Sequence, residues 1–325
     1  MGAVTVIRAE NLRTWFPVKT GLFKPVSYVK AVDGVSFSIH KGEALAVVGE
    51  SGCGKTTLGR TTLRVLEPVS GKLYFYDKDV THSREEELRE FRRKTAMIFQ
   101  DPYSSLNPVF NVYRILEEPL IVNGIRDKRE RAERIYKALE EVKLSPVELF
   151  MRKYPHMLSG GQRQRVAIAR ALILKPEYVV ADEPVSMLDA SVRAEILYLL
   201  NDLKNKHKIA FMYITHDLAT AKYFCERTAI MYAGKIVELG PTKEIIRNPR
   251  HPYTRALIEA LPDPDPNNRF RRIRVVPGEP PNLVNPPSGC RFHPRCPYAK
   301  DICSREEPKL AEVKPGHLVA CHLYA

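Results

Sequence analysis

The chain has no apolar run that approaches the roughly 20 residues needed to cross a bilayer. Its opening stretch, MGAVTVIRAENLRTW, lacks the apolar core of a secretory signal. Gly2 makes no myristoylation signal, because Val6 stands where that motif wants Ser or Thr. These absences exclude a helical membrane-spanning protein and predict a soluble chain that meets a membrane through a partner. There is no internal repeat or low-complexity tract, and a single tryptophan, Trp15. Acidic residues are in deficit: 38 Asp and Glu against 51 Lys and Arg leave a formal charge of +13. That balance suits nucleic acid, an anionic membrane face or bound phosphates, and equally a solvated basic surface, so charge decides nothing by itself.

Cysteine is scarce and unevenly placed. Cys53 and Cys225 are isolated, whereas Cys290, Cys296, Cys303 and Cys321 crowd into the tail. In a reducing compartment such a thiol group is more often a metal site than a pair of disulfides.

What is present is a chain of 325 residues, long enough for one large domain and an appendage. Val4–Phe16 and Tyr28–Ile39 read as β-rich stretches. Ala44–Val48 is an unbroken apolar run, the pattern of a strand covered on both faces, leading into glycines and a helix near Lys55. Similar runs recur at Thr95–Phe99, Tyr178–Ala181 and Ile209–Ile214 with helical stretches between them, so a parallel α/β core is expected. Pro108–Tyr154 has helical periodicity with no strand and reads as an inserted helical subdomain, taken broadly as residues 101–174. After His216 the pattern is strand, turn, strand over Thr228–Val237, then a helix near Tyr253–Leu261. The prolines of Pro262-Asp263-Pro264-Asp265-Pro266 mark a linker, dividing residues 1–262 from 263–325.

Gly49-Glu50-Ser51-Gly52-Cys53-Gly54-Lys55-Thr56, followed by Thr57, fits a phosphate-binding loop. Backbone N–H groups from Ser51 onward can wrap phosphates, Lys55 can reach the β and γ oxygens, and the Thr56 hydroxyl can ligate Mg²⁺. Tyr178–Glu183 sets Asp182 and Glu183 at a strand end, suited to Mg²⁺ and to an attacking water respectively. His216 and Gln100 also follow apolar strands, where open parallel sheets bind ligands. Leu158-Ser159-Gly160-Gly161-Gln162 opens a helical run. Its bare N–H groups and serine hydroxyl form a second phosphate-facing surface, which suggests a nucleotide shared between two chains.

In this order, Gly49–Thr57, Gln100, Leu158–Gln162, Val179–Glu183, Ser186–Asp189 and His216 resemble the Walker A, Q-loop, signature, Walker B, D-loop and H-loop of ATP-binding-cassette ATPases. The resemblance implies a P-loop NTPase fold: a parallel-sheet core, an antiparallel β subdomain, the helical insert and a C-terminal cysteine module. It implies a head-to-tail dimer in which Ser159, Gly160, Gly161 and Gln162 face the partner's ATP. Glu183, His216 and Gln100 are then catalytic. Ser51, Gly52, Cys53, Gly54, Lys55, Thr56 and Thr57 bind ATP, and Thr56, Gln100 and Asp182 hold Mg²⁺. An aromatic ring against adenine is also implied; Trp15 is the candidate, with Phe16 and Tyr28 behind it.

Phe16–Lys19, Val29–Phe37, Phe99–Pro108 and His251–Thr254 narrow the resemblance to the oligopeptide/dipeptide importer ATPases, F-type of a D/F pair. The D-loop departs at Met187, where the family has Ala. The resemblance implies a [4Fe–4S] cluster on Cys290, Cys296, Cys303 and Cys321. By ligand count alone Zn²⁺ fits equally, with His293, His317 and His322 as substitutes. Implied partners are a D-type paralogous ATPase, two permease subunits and an extracellular substrate-binding protein, with this chain peripheral at the cytoplasmic face of the cell membrane and no nucleic acid expected. The alternatives are a soluble cassette ATPase acting on nucleic acid or ribosomes, and an oligosaccharide cargo.

Overall fold

The structure, a computed structural model, describes residues 4–18, 26–260 and 278–324. The proline-rich linker reading falls on 262–268 and lies outside them.

Two sheets form the framework. The first is antiparallel. Strand β1 (Thr5–Val18) runs between β2 (Ser27–His40) and β4 (Ser70–Phe75), and the two-residue β5 (Lys78–Asp79) pairs on the edge of β4. The register matches Ala9 with Phe37, Leu12 with Val35 and Phe16 with Val29, and a bulge falls between Thr14 and Phe16.

The second sheet is mixed and has eight strands. β3 (Ala44–Val48) lies at its centre between parallel β8 (Ala210–Thr215) and β9 (Arg227–Tyr232), and β7 (Tyr178–Asp182) and β6 (Thr95–Ile98) continue the parallel run beyond β8. On the other side β10 (Lys235–Pro241) pairs antiparallel with β9. Every residue of β3, β7 and β8 is buried, which is why these strands read as unbroken apolar runs rather than alternating ones.

Strand alternation sorts that sheet's side chains into two cores. Ala44, Ala46 and Val48 face a core shared with Leu116, Leu139 and Val166 of the helical region. Leu45 and Val47 face a core shared with Val6, Leu12 and Val35 of the first sheet. Helix α1 (Lys55–Thr62) follows β3, and α2 (Glu85–Arg93) precedes β6.

Between β6 and β7 the chain is helical, as expected: α3 (Pro102–Ser105), α4 (Val112–Val122), α5 (Lys128–Glu141), α6 (Val147–Arg152) and α7 (Gly160–Leu172). The Asn111 and Asp127 side chains cap α4 and α5 by accepting from Arg114 N–H and Arg129 N–H. The remaining helices are α8 (Ala190–His207), α9 (Leu218–Phe224), α10 (Thr242–Arg247), α11 (Pro252–Glu259) and α12 (Asp301–Arg305). Three of these, α9, α10 and α12, are short and unexpected, as are β4, β5 and the two strands of the tail.

Those tail strands alter the picture of an appendage. β12 (His317–Val319) pairs antiparallel with β10, and β11 (Ala311–Lys314) forms the outer edge. The pairing is reinforced by His317 Nε2 at 2.7 Å from Glu238 Oε1, both fully buried.

Candidate nucleotide site

In the loop between β3 and α1, Gly49 and Gly54 occupy positions that leave no room for a Cβ. A Cβ on Gly49 would lie 2.1 Å from the Met231 carbonyl oxygen, and one on Gly54, at φ 103°, 1.9 Å from that of Ala31. The loop therefore brings its backbone to the N-terminus of α1, where unpaired N–H groups favour an anion. Lys55 is folded back, its ammonium donating to Gly49 O and Glu50 O at 2.8 Å each.

Opposite Thr56, the Asp182 carboxylate ends β7. Thr56 Oγ1 donates to Asp182 Oδ1 at 3.2 Å. Burial raises the Asp182 pKa above the ordinary carboxylate value; the Thr56 hydrogen bond opposes that shift and the neighbouring Glu183 charge adds to it. Glu183 turns sharply off the strand at φ 45°, a left-handed conformation costly for a residue with a Cβ. The turn places its carboxylate between two side chains: His216 Nδ1 is 3.0 Å from Oε1, and Gln100 Nε2 donates to Oε2 at 3.2 Å.

Ser51, Gly52, Gly54, Lys55, Thr56, Thr57, Gln100, Glu183 and His216 line one cavity of about 540 Å³. Asp182 lies beneath it, bonded to Thr56, and Cys53 is buried below the loop. A larger cavity of about 770 Å³ lies between the first sheet and the tail. Charged residues of its lining enter ion pairs, among them Lys235–Glu307 and Arg227–Glu43.

Phe16 lines the nucleotide cavity and Trp15 does not. Trp15 instead sits 6.2 Å from the Tyr28 ring, with the Lys30 ammonium 5.2 Å from its centroid. Val29, Ala31 and Leu283 complete the wall, and the sequence does not mark them as site residues; Leu283 comes from the tail.

Ser159, Gly160, Gly161 and Gln162 are not brought to this cavity. They open α7 through a reciprocal cap, Gln162 N–H to Ser159 Oγ at 3.3 Å and Ser159 N–H to Gln162 Oε1 at 3.1 Å. Ser159 is exposed and the following three residues are half-buried.

The tail corrects the expectation of a ready-made metal module. Among the described residues no group of three or more His, Cys, Asp or Glu side chains stands in metal-holding geometry. Nor are the three histidines spare: His317 pairs with Glu238, His293 Nδ1 meets Cys290 O at 2.9 Å, and His322 Nε2 meets Glu306 O at 2.9 Å. The four thiols nevertheless share one neighbourhood. Burial pushes the Cys290 thiol up to about 11, and the charges of Cys321, Cys303 and Cys296 add to that shift.

The ABC transporter family matches residues 32–186, and the oligopeptide/dipeptide transporter C-terminal region matches 237–303. The chain is 45% identical to the oligopeptide transport ATP-binding protein AppF of Bacillus subtilis, over 99% of this chain and 98% of that one. It belongs to the ATP-binding-cassette ATPases of the oligopeptide/dipeptide transporters. The dipeptide transport ATP-binding protein DppF of Haemophilus influenzae is 46% identical over 97% of this chain and 96% of its own. Among solved structures, the ATP-binding cassette MJ0796, a dimer in a post-hydrolysis state with ADP and Pi, superposes with a TM-score of 0.63 at 30% identity, covering 73% of this chain and 98% of that one. Membership in this ATPase family makes ATP the substrate of the chain. No helix among the described residues is long and apolar enough to cross a membrane.

Proposed function

We propose that this cassette ATPase energises import of oligopeptides or dipeptides through a separate permease, and that Glu183 is the base of its hydrolytic step. The observation that carries the second point is the Glu183 carboxylate, held between His216 and Gln100 at the mouth of the P-loop cavity. A base must sit within hydrogen-bond reach of the water it activates and must keep its orientation. His216 and Gln100 supply that orientation from the ends of two other strands. Lys55 exchanges the Gly49 and Glu50 carbonyls for phosphate oxygens when ATP enters, and the loop N–H groups of Ser51 to Thr57 meet the phosphates. Phe16 is the ring that stacks on the base.

Thr56 and Asp182, already 3.2 Å apart, suit Mg²⁺, with Gln100 as a further oxygen donor. When bound, the ion neutralises phosphate charge. The exposed N-terminus of α7 is assigned to the ATP of a second cassette, a D-type paralogue. The remaining partners are two permease subunits at the cytoplasmic face of the membrane and a substrate-binding protein. We read residues 1–262 as the ATPase domain, with the helical subdomain near 101–174, and residues 263–325 as the C-terminal extension.

In that extension Cys290, Cys296, Cys303 and Cys321 are assigned to a [4Fe–4S] cluster, with Zn²⁺ the alternative. What supports a thiolate-bound group is the backbone donors beside the sulfurs, which favour the ionised form against burial. The backbone N–H groups of Phe292, Tyr298 and Leu323, each two residues on, bond to the sulfurs of Cys290, Cys296 and Cys321. Lys300 N–H reaches Cys303 Sγ at 3.4 Å. When bound, such a group cross-links the tail. A visible absorbance band in anaerobically purified protein supports iron–sulfur, and a colourless zinc-containing protein overturns it.

The relatives' names favour peptide transport over a nucleic-acid or ribosomal role and over an oligosaccharide cargo. Recovery of the chain with permease subunits, and peptide-stimulated phosphate release from that complex, test the reading. Salt-sensitive nucleic-acid binding without membrane partners sinks it.

A further inference from the structure

Glu50 is held by three different parts of the chain. Its N–H donates to Tyr253 Oη at 2.9 Å, from α11. Its carbonyl accepts from Lys55 Nζ at 2.8 Å, within the loop itself. Its carboxylate receives Arg295 of the tail, from Nη1 at 3.0 Å and from Nη2 at 3.4 Å. The Arg295 side chain is 9% exposed, and Nη1 also lies 3.3 Å from Tyr232 Oη. Around it Phe292 joins Tyr232 and Tyr253, with ring centroids 5.2 and 5.5 Å away.

Docking of the tail does not need this contact. The tail is also fixed by β12 on β10, by His317 on Glu238, by Arg291 on Asp33 and by Lys314 on Glu244 at 2.8 Å. Arg295 differs from these in what it grips, which is the phosphate loop. A second tail element reaches the same site. Leu283 lines the nucleotide cavity with Phe16 and Val29, and its carbonyl accepts from Lys30 N–H at 3.0 Å.

We infer that the tail is a working part of the nucleotide site, and that Arg295 is a positioning residue that fixes the phosphate loop through Glu50. The inference rests on reading the cavity as the ATP site. In the structure Lys55 restrains the Glu50 carbonyl by a hydrogen bond. When Lys55 turns to phosphate that restraint is lost, and the bidentate Arg295 contact keeps Glu50 and the following N–H groups in place. The cost of losing it falls on nucleotide affinity rather than on the chemical step.

The test is MgATP titration of full-length chain in the Glu183→Gln background, with steady-state kinetics on the unmutated background. Arg295→Ala and Glu50→Gln should each weaken MgATP about tenfold. The double variant should be no weaker than either single one, because both remove one contact. Arg295→Lys should recover part of the loss. KM for ATP should rise with kcat changed less than about twofold. Lys314→Ala, which releases a tail contact far from the loop in sequence, should bind as the parent does. Unchanged binding by Arg295→Ala, additive losses in the double variant, or an equal loss in Lys314→Ala overturns the inference. A parent chain that does not bind MgATP overturns the site assignment beneath it, a result distinct from these.

Discussion

His216 Nδ1 lies 3.0 Å from Glu183 Oε1, so the residue after β8 orients the residue after β7. A hydrogen bond from Nδ1 to a carboxylate oxygen makes Nδ1 the proton-bearing nitrogen. The arrangement assigns the two residues unequal roles. Glu183→Gln keeps the shape and the Gln100 contact yet removes the base. Phosphate release should fall by roughly 10²–10⁴-fold while ATP binding persists. His216→Ala removes orientation only and should cost less. Phosphate release and nucleotide titration on both variants check this; equal loss of binding and turnover in Glu183→Gln would remove it from the role of base.

Phe16 and Trp15 offer a sharper comparison, because they are adjacent and only Phe16 faces the cavity. Stacking of a base on an aromatic ring is worth roughly 1–3 kcal/mol. Phe16→Ala should therefore weaken ATP by about tenfold and leave inorganic triphosphate unaffected, whereas Trp15→Ala should change both little. Titration of the two ligands against the two variants decides the matter. A larger ATP loss in Trp15→Ala would reverse the assignment.

That pair also marks where the sequence stops being legible. A strand alternates its faces, so adjacent aromatics must point to opposite sides. Which one faces the cavity goes with the register shift between Thr14 and Phe16, where the pairing passes from Thr14–Val32 to Phe16–Val29. No local pattern announces that shift. In contrast, Ala44–Val48 and Tyr178–Asp182 were readable because both faces are buried and the run is therefore continuous. The site residues at their ends followed, since a parallel sheet gathers its strand ends at one edge. The tail was opaque for another reason. β12 is three residues long, and its partner β10 lies about eighty residues earlier, so its pairing is a tertiary fact. Glu50 and Arg295, 245 residues apart, are invisible to any local reading for the same reason.

The two signature glycines are not equivalent as probes. A Cβ on Gly161 would lie 2.5 Å from Val192 Cγ1 and would disturb α8 in the same chain. A Cβ on Gly160 would find Leu188 Cδ2 at 3.6 Å and Tyr103 Oη at 3.8 Å, ordinary contact distances. Gly160→Ala is thus the clean test of a surface that faces a partner's nucleotide. The isolated chain should bind ATP with unchanged affinity, while ATP-dependent dimerisation with the partner cassette should be lost. Sedimentation with the Glu183→Gln background holding ATP unhydrolysed would measure this. If the isolated Gly160→Ala chain loses ATP affinity, the signature helix serves its own nucleotide instead.

His251 sets an acid limit on stability. Its Nδ1 accepts from Tyr253 N–H at 3.1 Å, so the proton resides on Nε2, which has no hydrogen-bond partner among the described residues. Burial against Phe292, ring centroids 5.7 Å apart, lowers its pKa from 6.5 to about 3. Below pH 6.5 the unfolded chain takes up a proton that the folded chain refuses. The folded state therefore keeps its full stability above that pH and loses up to about 1.4 kcal/mol per pH unit as the pH falls from 6.5 toward 3. His251→Gln removes the titrating group. It should be less stable than the parent at pH 7.5, where the capping contact to Tyr253 is weakened, and should lose the downward slope between pH 6 and pH 4.5. Urea midpoints of parent and variant across that range test it. Curves that stay parallel would assign the acid sensitivity to other groups, because a neutral glutamine cannot reproduce a histidine's proton uptake in the unfolded chain.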